Sequence, residues 1–422
     1  MTTPTQVQDL RKVISPEHPN ADIEIAWRLQ HVPPFETDMS GDGELWAQTS
    51  GLDCLAQVLR HIFSREGSQG FGKLLKNEAA MANENANPIL KYAWQTFERD
   101  PSLSERAQMA AATAAKMAVL EELFSGEEQP HGHQFMDLCQ SPVMGETFWL
   151  DERFKAWTVV LRQRPSGEWV TAKWKDRSGE GRAGCLRFDP EKQPWHSLQG
   201  FINGKLGEAA AAEETSENRL LHISAWPRVM RVLYTPKAEG RLRFSQLRSF
   251  EMPYVAPEVA VESLALTGKA PVQAYLRYTL MAVVRLGDQE SDPDYVRTYD
   301  AHGHQIALSY RPASFVNDSW SVEDSCANKY MLFYGPGEAG TFPHACPPEV
   351  AIRPPPFEKE LDEELGDIWQ IMKAGPPPSA RQRPQAGFNP PTSRGPHGPD
   401  GRPPPTAPRA MLERRGTRAR KT

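Results

Sequence analysis

Apolar and polar positions alternate most sharply between residues 275 and 334. Tyr275 to Val284 is a run of apolar, β-branched and aromatic residues, and Tyr330-Met-Leu-Phe-Tyr334 is another. Both are too short for globular helices and read as strands buried on both faces. Phe315 to Trp320 lies between them, after a polar loop. The polar stretch between them is rich in Asp, Gly and His, so functional groups are expected on loops between strands.

Upstream the period changes to that of a helix. Leu55, Val58, Leu59, Ile62 and Phe63 fall on one face, so Cys54 to Phe63 is expected to be a packed amphipathic helix. Gly43 to Asp53 reads as a Gly-punctuated turn with Asp53 as N-cap. Further helices are expected over Pro88–Phe97 and over Ser104–Phe124. The second has Ser102 or Ser104 as cap, Gly126 as stop, and Met109, Met117 and Leu120 on its core face. From Glu146 the runs become short and β-rich: Thr147–Leu150, Trp157–Arg162 and Trp169–Trp174, with a turn at Pro165–Gly167. Trp195–Leu206 reads as a short helix, and His222–Tyr234 and Leu242–Tyr254 as strand-bearing segments.

Composition adds a division of the chain. Hydrophobic residues make up 39% and there are 38 prolines, which points to a globular core plus a disordered segment. Residues 1–40 read as a polar lead-in with one short amphipathic piece near Ile23–Leu29, and 41–350 as the folded domain. In 351–375, Phe357, Leu361, Leu365, Ile368 and Met372 mark an amphipathic helix. Residues 376–422 form a Pro/Arg-rich tail expected to be disordered. Ten Lys/Arg against Asp400 and Glu413 give this tail a charge near +8, while the whole chain carries −6. Its basic end, Arg414 to Lys421, suits nuclear import or weak nucleic-acid contact; the rest of the chain offers no nucleic-acid footprint. Five scattered cysteines without a CxxC pair argue against a disulfide framework or a zinc ribbon. No secretory signal and no spanning apolar run is visible, so a soluble protein of cytoplasm or nucleus is expected, with no membrane partner.

Several blocks, in order, resemble the ubiquitin-specific proteases. Tyr330-Met-Leu-Phe-Tyr334 matches the family's closing "Y-M-L-F-Y", and Tyr275–Val284 is similar to its "Y-x-L-x-A-V-V" strand. His222–Tyr234 and Leu242–Tyr254 resemble the "L-P-P-V-L" and "L-x-P-Y" segments. Near the start, the family's "G-N-T-C-Y-M-N-S-V-L-Q" can be laid over Ala47 to Gln57, with Thr49 and Gln57 as matches. The resemblance then implies Gln48 at the oxyanion-stabilising position, Ser50 at the catalytic Cys and Asp53 at the later Asn. In a rival register Cys54 is the nucleophile. The catalytic His also has two candidates. Family spacing lands on Asp294 in Asp294-Tyr-Val-Arg-Thr-Tyr299, whereas Gly303-His304 is a true Gly-His, with Asn317 and Asp318 placed to orient it.

The resemblance implies an α+β fold with a papain-like cysteine-protease layout: a helical subdomain facing an antiparallel β-sheet subdomain. It implies ubiquitin or a ubiquitin-like protein as partner and no cofactor or metal, since the family's zinc-binding insertion has no counterpart here. Three functional readings stay open: a degenerate relative that binds without efficient cleavage, an active deubiquitinase using Cys54 and His304, and a non-ubiquitin scaffold. The first two predict that Trp46–Phe63 and Tyr278–Asp318 meet in space.

Overall fold

Helices fill the first half of the chain and strands the second, as the change in period near residue 146 suggests. The structure is a computed structural model. It describes residues 7–31, 43–97, 104–125, 133–164, 166–171, 184–206, 208–210, 219–224, 226–237, 239–254, 259, 263, 272–289, 292–300, 303–306, 320–324 and 328–337. The segment Phe315–Trp320, apart from Trp320, lies outside these residues, as do the expected helix over 357–372 and the basic tail.

The N-terminal residues pack into the helical half. Strand β1 (Val7–Asp9) leads into helices α1 (Leu10–Val13) and α2 (Ala21–Ala26). Leu10, Ile14, Ile25 and Leu29 are buried in the same core as the long central helix, α3 (Gly43–Ser64). Around it lie α4 (Gly67–Lys76), α5 (Glu78–Ala86), α6 (Pro88–Trp94) and α7 (Glu105–Phe124). Ser104 caps α7, its Oγ accepting the Ala107 N–H at 3.3 Å. The short α8 (Phe135–Cys139) and α9 (Pro142–Met144) follow.

Two expectations change here. Pro88–Phe97 is not one helix: it stops at Trp94, and β2 (Gln95–Phe97) pairs antiparallel with β1. The buried Arg60 guanidinium accounts for the break, because it draws the Ala93 and Gln95 carbonyls out of any helical ladder. Thr147–Leu150 is not a strand but lies within and just after a wide helical turn, Gly145–Trp149, where Phe148 and Trp149 are buried in the helical core. A β-branched and aromatic run there reflects burial rather than pairing.

The sheet half holds two sheets. A small antiparallel one runs β4 (Trp169–Thr171), β3 (Trp157–Gln163), β7 (Arg219–Ser224), β6 (Glu208–Ala210). The larger runs β11 (Tyr295–Thr298), β10 (Ala274–Arg285), β12 (Tyr330–Pro336), β8 (Met230–Tyr234), β5 (Cys185–Phe188), with β9 (Ser249–Tyr254) paired to the first half of β10. It is antiparallel except at one edge, where β5 runs parallel to β8. Met331 and Phe333 face the helical core, while Tyr330, Leu332 and Tyr334 face a second core on the far side. This two-sided burial explains the unbroken apolar runs. The second core is closed by α10 (Leu198–Lys205) and α11 (Phe244–Leu247). The result is an α+β fold, a helical half laid against a mostly antiparallel sheet. Among the described residues no helix is long and apolar enough to cross a membrane.

Candidate functional site

Helix α3 begins well before the expected N-cap, and this decides the chemistry around it. Asp53 lies in the helix interior, not at its start, so neither Ser50 nor Cys54 gains the positive field of a helix N-terminus. Gly51 is what permits this packing. A Cβ there would sit 2.4 Å from the His133 carbonyl oxygen and 2.4 Å from the Phe135 nitrogen. The helix therefore presses backbone to backbone on the segment entering α8. A glycine read as a turn signal is instead a contact point.

Across this interface the two distant boxes meet. The Asp294 N–H donates to Ser50 Oγ at 2.9 Å, over a separation of 244 residues in sequence. Ser50 is fully buried and Asp294 is 2% exposed. The Asp294 carboxylate accepts the Phe135 N–H at 2.8 Å and the Gly287 N–H at 3.0 Å. Burial raises its pKa to about 6 against those two hydrogen bonds, with Asp292 and Asp137 adding a smaller push. Arg65, just past the end of α3, donates to the Tyr299 carbonyl at 3.3 Å and ties the helix to the same side of the sheet.

Cys54 lies one turn further along α3 and is fully buried. Burial pushes its thiol well up, and the nearby Asp294 and Asp53 carboxylates add to this against the opposing Lys116 ammonium. Such a shift disfavours the thiolate, which is the reactive form of a cysteine. Asp53 itself is an internal acid. Lys116 Nζ donates to it at 2.5 Å and Tyr92 Oη at 2.9 Å, all three buried. Burial still holds the Asp53 carboxyl above its ordinary range, with Lys116 and Tyr92 acting the other way.

His304 lies in a hairpin turn. Gly303 takes φ +82°, the Asp300 N–H donates to the His304 carbonyl, and the ring Nδ1 lies 3.1 Å from Asp300 Oδ2. Its side chain is 55% exposed. The charged groups that act on the Cys54 thiol include Asp294, Asp53 and Lys116. The backbone of Gln48 lies in α3, but its side chain is outside the described residues, as are Asn317 and Asp318. Thr49 is buried beside Ser50, and Gln57 Nε2 donates to the Gln30 carbonyl at 3.2 Å.

The structure thus brings Ser50 and Asp294 together, with Cys54 behind them, and leaves His304 at the surface. Sequence reasoning missed the Phe135 and Gly287 N–H groups, because backbone donors carry no side-chain signature. It also missed Lys116 and Tyr92. Lys116 was legible in principle as a charge within the Ala-rich run of α7. Among the described residues no cluster of His, Cys, Asp and Glu is arranged to hold a metal ion.

No family model matches the chain, and no curated protein matches it. Among solved structures the chain is similar to the Saccharomyces cerevisiae Pan2 pseudoubiquitin hydrolase–RNA exonuclease module. In the complex of that module with AAGGA RNA the identity is 10% and the TM-score 0.29, covering 80% of this chain and 57% of that one. For the PAN2 pseudoubiquitin-hydrolase alone the identity is 8% and the TM-score 0.25, covering 76% and 86%. The chain spans about half the length of the two-part modules, 52–57%.

Proposed function

We propose that this chain is a degenerate ubiquitin-specific-protease-like protein, which holds ubiquitin or a ubiquitin-like partner without cleaving it. The observation that carries the reading is the buried contact of Ser50 with Asp294. Acyl transfer needs a nucleophile, a base to take its proton and room for a substrate carbonyl. Here the hydroxyl accepts a backbone N–H and is sealed from solvent. Asp294 aims its carboxylate at two backbone N–H groups rather than at the hydroxyl. If these positions correspond to the family's Cys and His, thiol and imidazole have both been replaced and the cleft between them filled by the chain's own backbone.

The rival route through Cys54 and His304 is disfavoured on two counts. The thiol is buried beside carboxylates that oppose its ionisation, and the imidazole is exposed on a turn and paired with Asp300. The ubiquitin-like partner rests on the ordered sequence blocks, since the chain's own geometry bears on catalysis and not on the partner.

The test pairs a fluorogenic ubiquitin hydrolysis assay with a binding titration of ubiquitin and ubiquitin-like proteins. The expected outcome is saturable binding to one of them and hydrolysis at the blank rate. Hydrolysis abolished by Cys54→Ala overturns the reading in favour of an active enzyme. Neither hydrolysis nor binding overturns it in favour of a scaffold for other partners.

A further inference from the structure

The turn between β7 and β8 holds Trp226 in a costly shape. Among the described residues it is the one non-glycine residue with positive φ, +52°, and the proline that follows it favours extended backbone instead. Its neighbours hold it there. Ser224 Oγ accepts the Trp226 N–H at 3.2 Å, the Tyr278 hydroxyl donates to the Pro227 carbonyl at 2.7 Å, and the Arg228 N–H donates to the Arg153 carbonyl. The conformation lays the indole ring against Tyr254, at the end of β9, with centroids 4.0 Å apart and planes at 39°. Trp226 is still 37% exposed, and among the described residues its indole N–H donates to no acceptor. Strain maintained around an exposed group points to a use for that group.

The path of the chain leads to this pair of rings. Strand β12 pairs with β10 as far as Tyr278–Pro336, and the Gly337 N–H donates to the Arg277 carbonyl at 2.9 Å, where the described residues end. The direction of β12 aims the residues that follow along β10 towards Ala274, which is paired with Tyr254. From Arg277 to Ala274 is about 10 Å of strand. Pro343 lies six residues beyond Gly337, a reach of up to about 20 Å. The sequence there is Pro343-His-Ala-Cys-Pro-Pro348.

We propose that Trp226 and Tyr254 form a proline-binding platform, occupied by this chain's own segment Pro343–Pro348. Proline keeps its carbonyl acceptor and has no N–H, so the segment offers acceptors to the indole and few donors that need partners in return. Consecutive prolines are already extended as polyproline II, so little conformational freedom is lost when they settle on aromatic faces. The short tether also holds the segment at an effective concentration on the order of millimolar, at which a shallow contact suffices. This inference is independent of the fate of Ser50 and of any ubiquitin-like partner.

The test uses the full chain and follows the Trp226 indole N–H resonance, assigned by its loss in Trp226→Phe. A variant combining Pro343→Ser, Pro347→Ser and Pro348→Ser should shift that resonance and leave the other indoles where they are, which also shows that the fold is intact. A free peptide with the wild-type sequence of residues 341–350 should restore the shift saturably. It should bind the triple variant at least about tenfold more tightly than the wild type, whose own segment competes. An unchanged Trp226 resonance in the triple variant, or a shift that the peptide does not restore, overturns the proposal. A shift shared by the other indoles overturns it as well. Should the wild-type resonance move with protein concentration, the segment comes from a second copy and the intramolecular assignment is wrong.

Discussion

Helix α3 buries two acids within one turn of each other's contacts, and the protein treats them differently. Asp53 is held by a lysine ammonium and a tyrosine hydroxyl, both carried by neighbouring helices. Asp294 reaches the same helix from the sheet side and is held by the backbone N–H groups of Phe135 and Gly287. The first arrangement is an ion pair that locks helix to helix. The second is a seam between helix and sheet, closed by main chain rather than by charge. Burial raises both carboxyls, opposed at Asp53 by the Lys116 ammonium and the Tyr92 hydroxyl and at Asp294 by backbone N–H groups.

The largest expected effect comes from breaking the ion pair. Lys116→Met leaves Asp53 buried without its cation, which should destabilise the fold by about 3–5 kcal/mol, while Asp53→Leu with Lys116→Met should recover much of that loss. Urea midpoints of the two variants check this. A single variant as stable as the wild type would mean that the pair is open to solvent.

The seam predicts a pH signature. The folded pKa of Asp294 lies at about 6, above its ordinary 3.8, so the folded state binds the proton more tightly. Its contribution is fully present below the ordinary value and is lost as pH rises through about 6, to an extent of about 2–3 kcal/mol. Unfolding midpoints at pH 4.5 and pH 7 should therefore differ less in Asp294→Asn than in the wild type. An unchanged difference would place the titration elsewhere. Asp53 shifts in the same direction, so the comparison with Asp294→Asn is what isolates the seam.

The smallest effect is expected at Ser50. Ser50→Ala orphans the Asp294 N–H and should lower stability by about 1–3 kcal/mol, with no change in any ubiquitin-dependent activity. A loss of hydrolysis in this variant would give Ser50 a catalytic part that the closed seam denies it.

Much of the fold was legible in the sequence. The strands β10 and β12 followed from their unbroken apolar runs, and α7 from its cap and Ala-rich body. The boundary of α3 was not legible. Gly43 and Gly51 imitate turn signals, and only the close approach of residues 133–135 shows why a glycine sits inside that helix. The wide turn at Gly145–Trp149 was misread because aromatic burial and strand pairing leave the same local composition. At the site, the meeting of Ser50 with Asp294 could be anticipated from the ordered family blocks. The role of Asp53 could not, because its partner Lys116 lies 63 residues away on another helix.

The most direct test of the central claim is intact-mass measurement of the wild-type chain after incubation with ubiquitin bearing a C-terminal thiol-reactive electrophile. A closed seam with a buried, protonated Cys54 predicts unmodified protein with no ubiquitin adduct. A stoichiometric adduct that disappears in Cys54→Ala would contradict it.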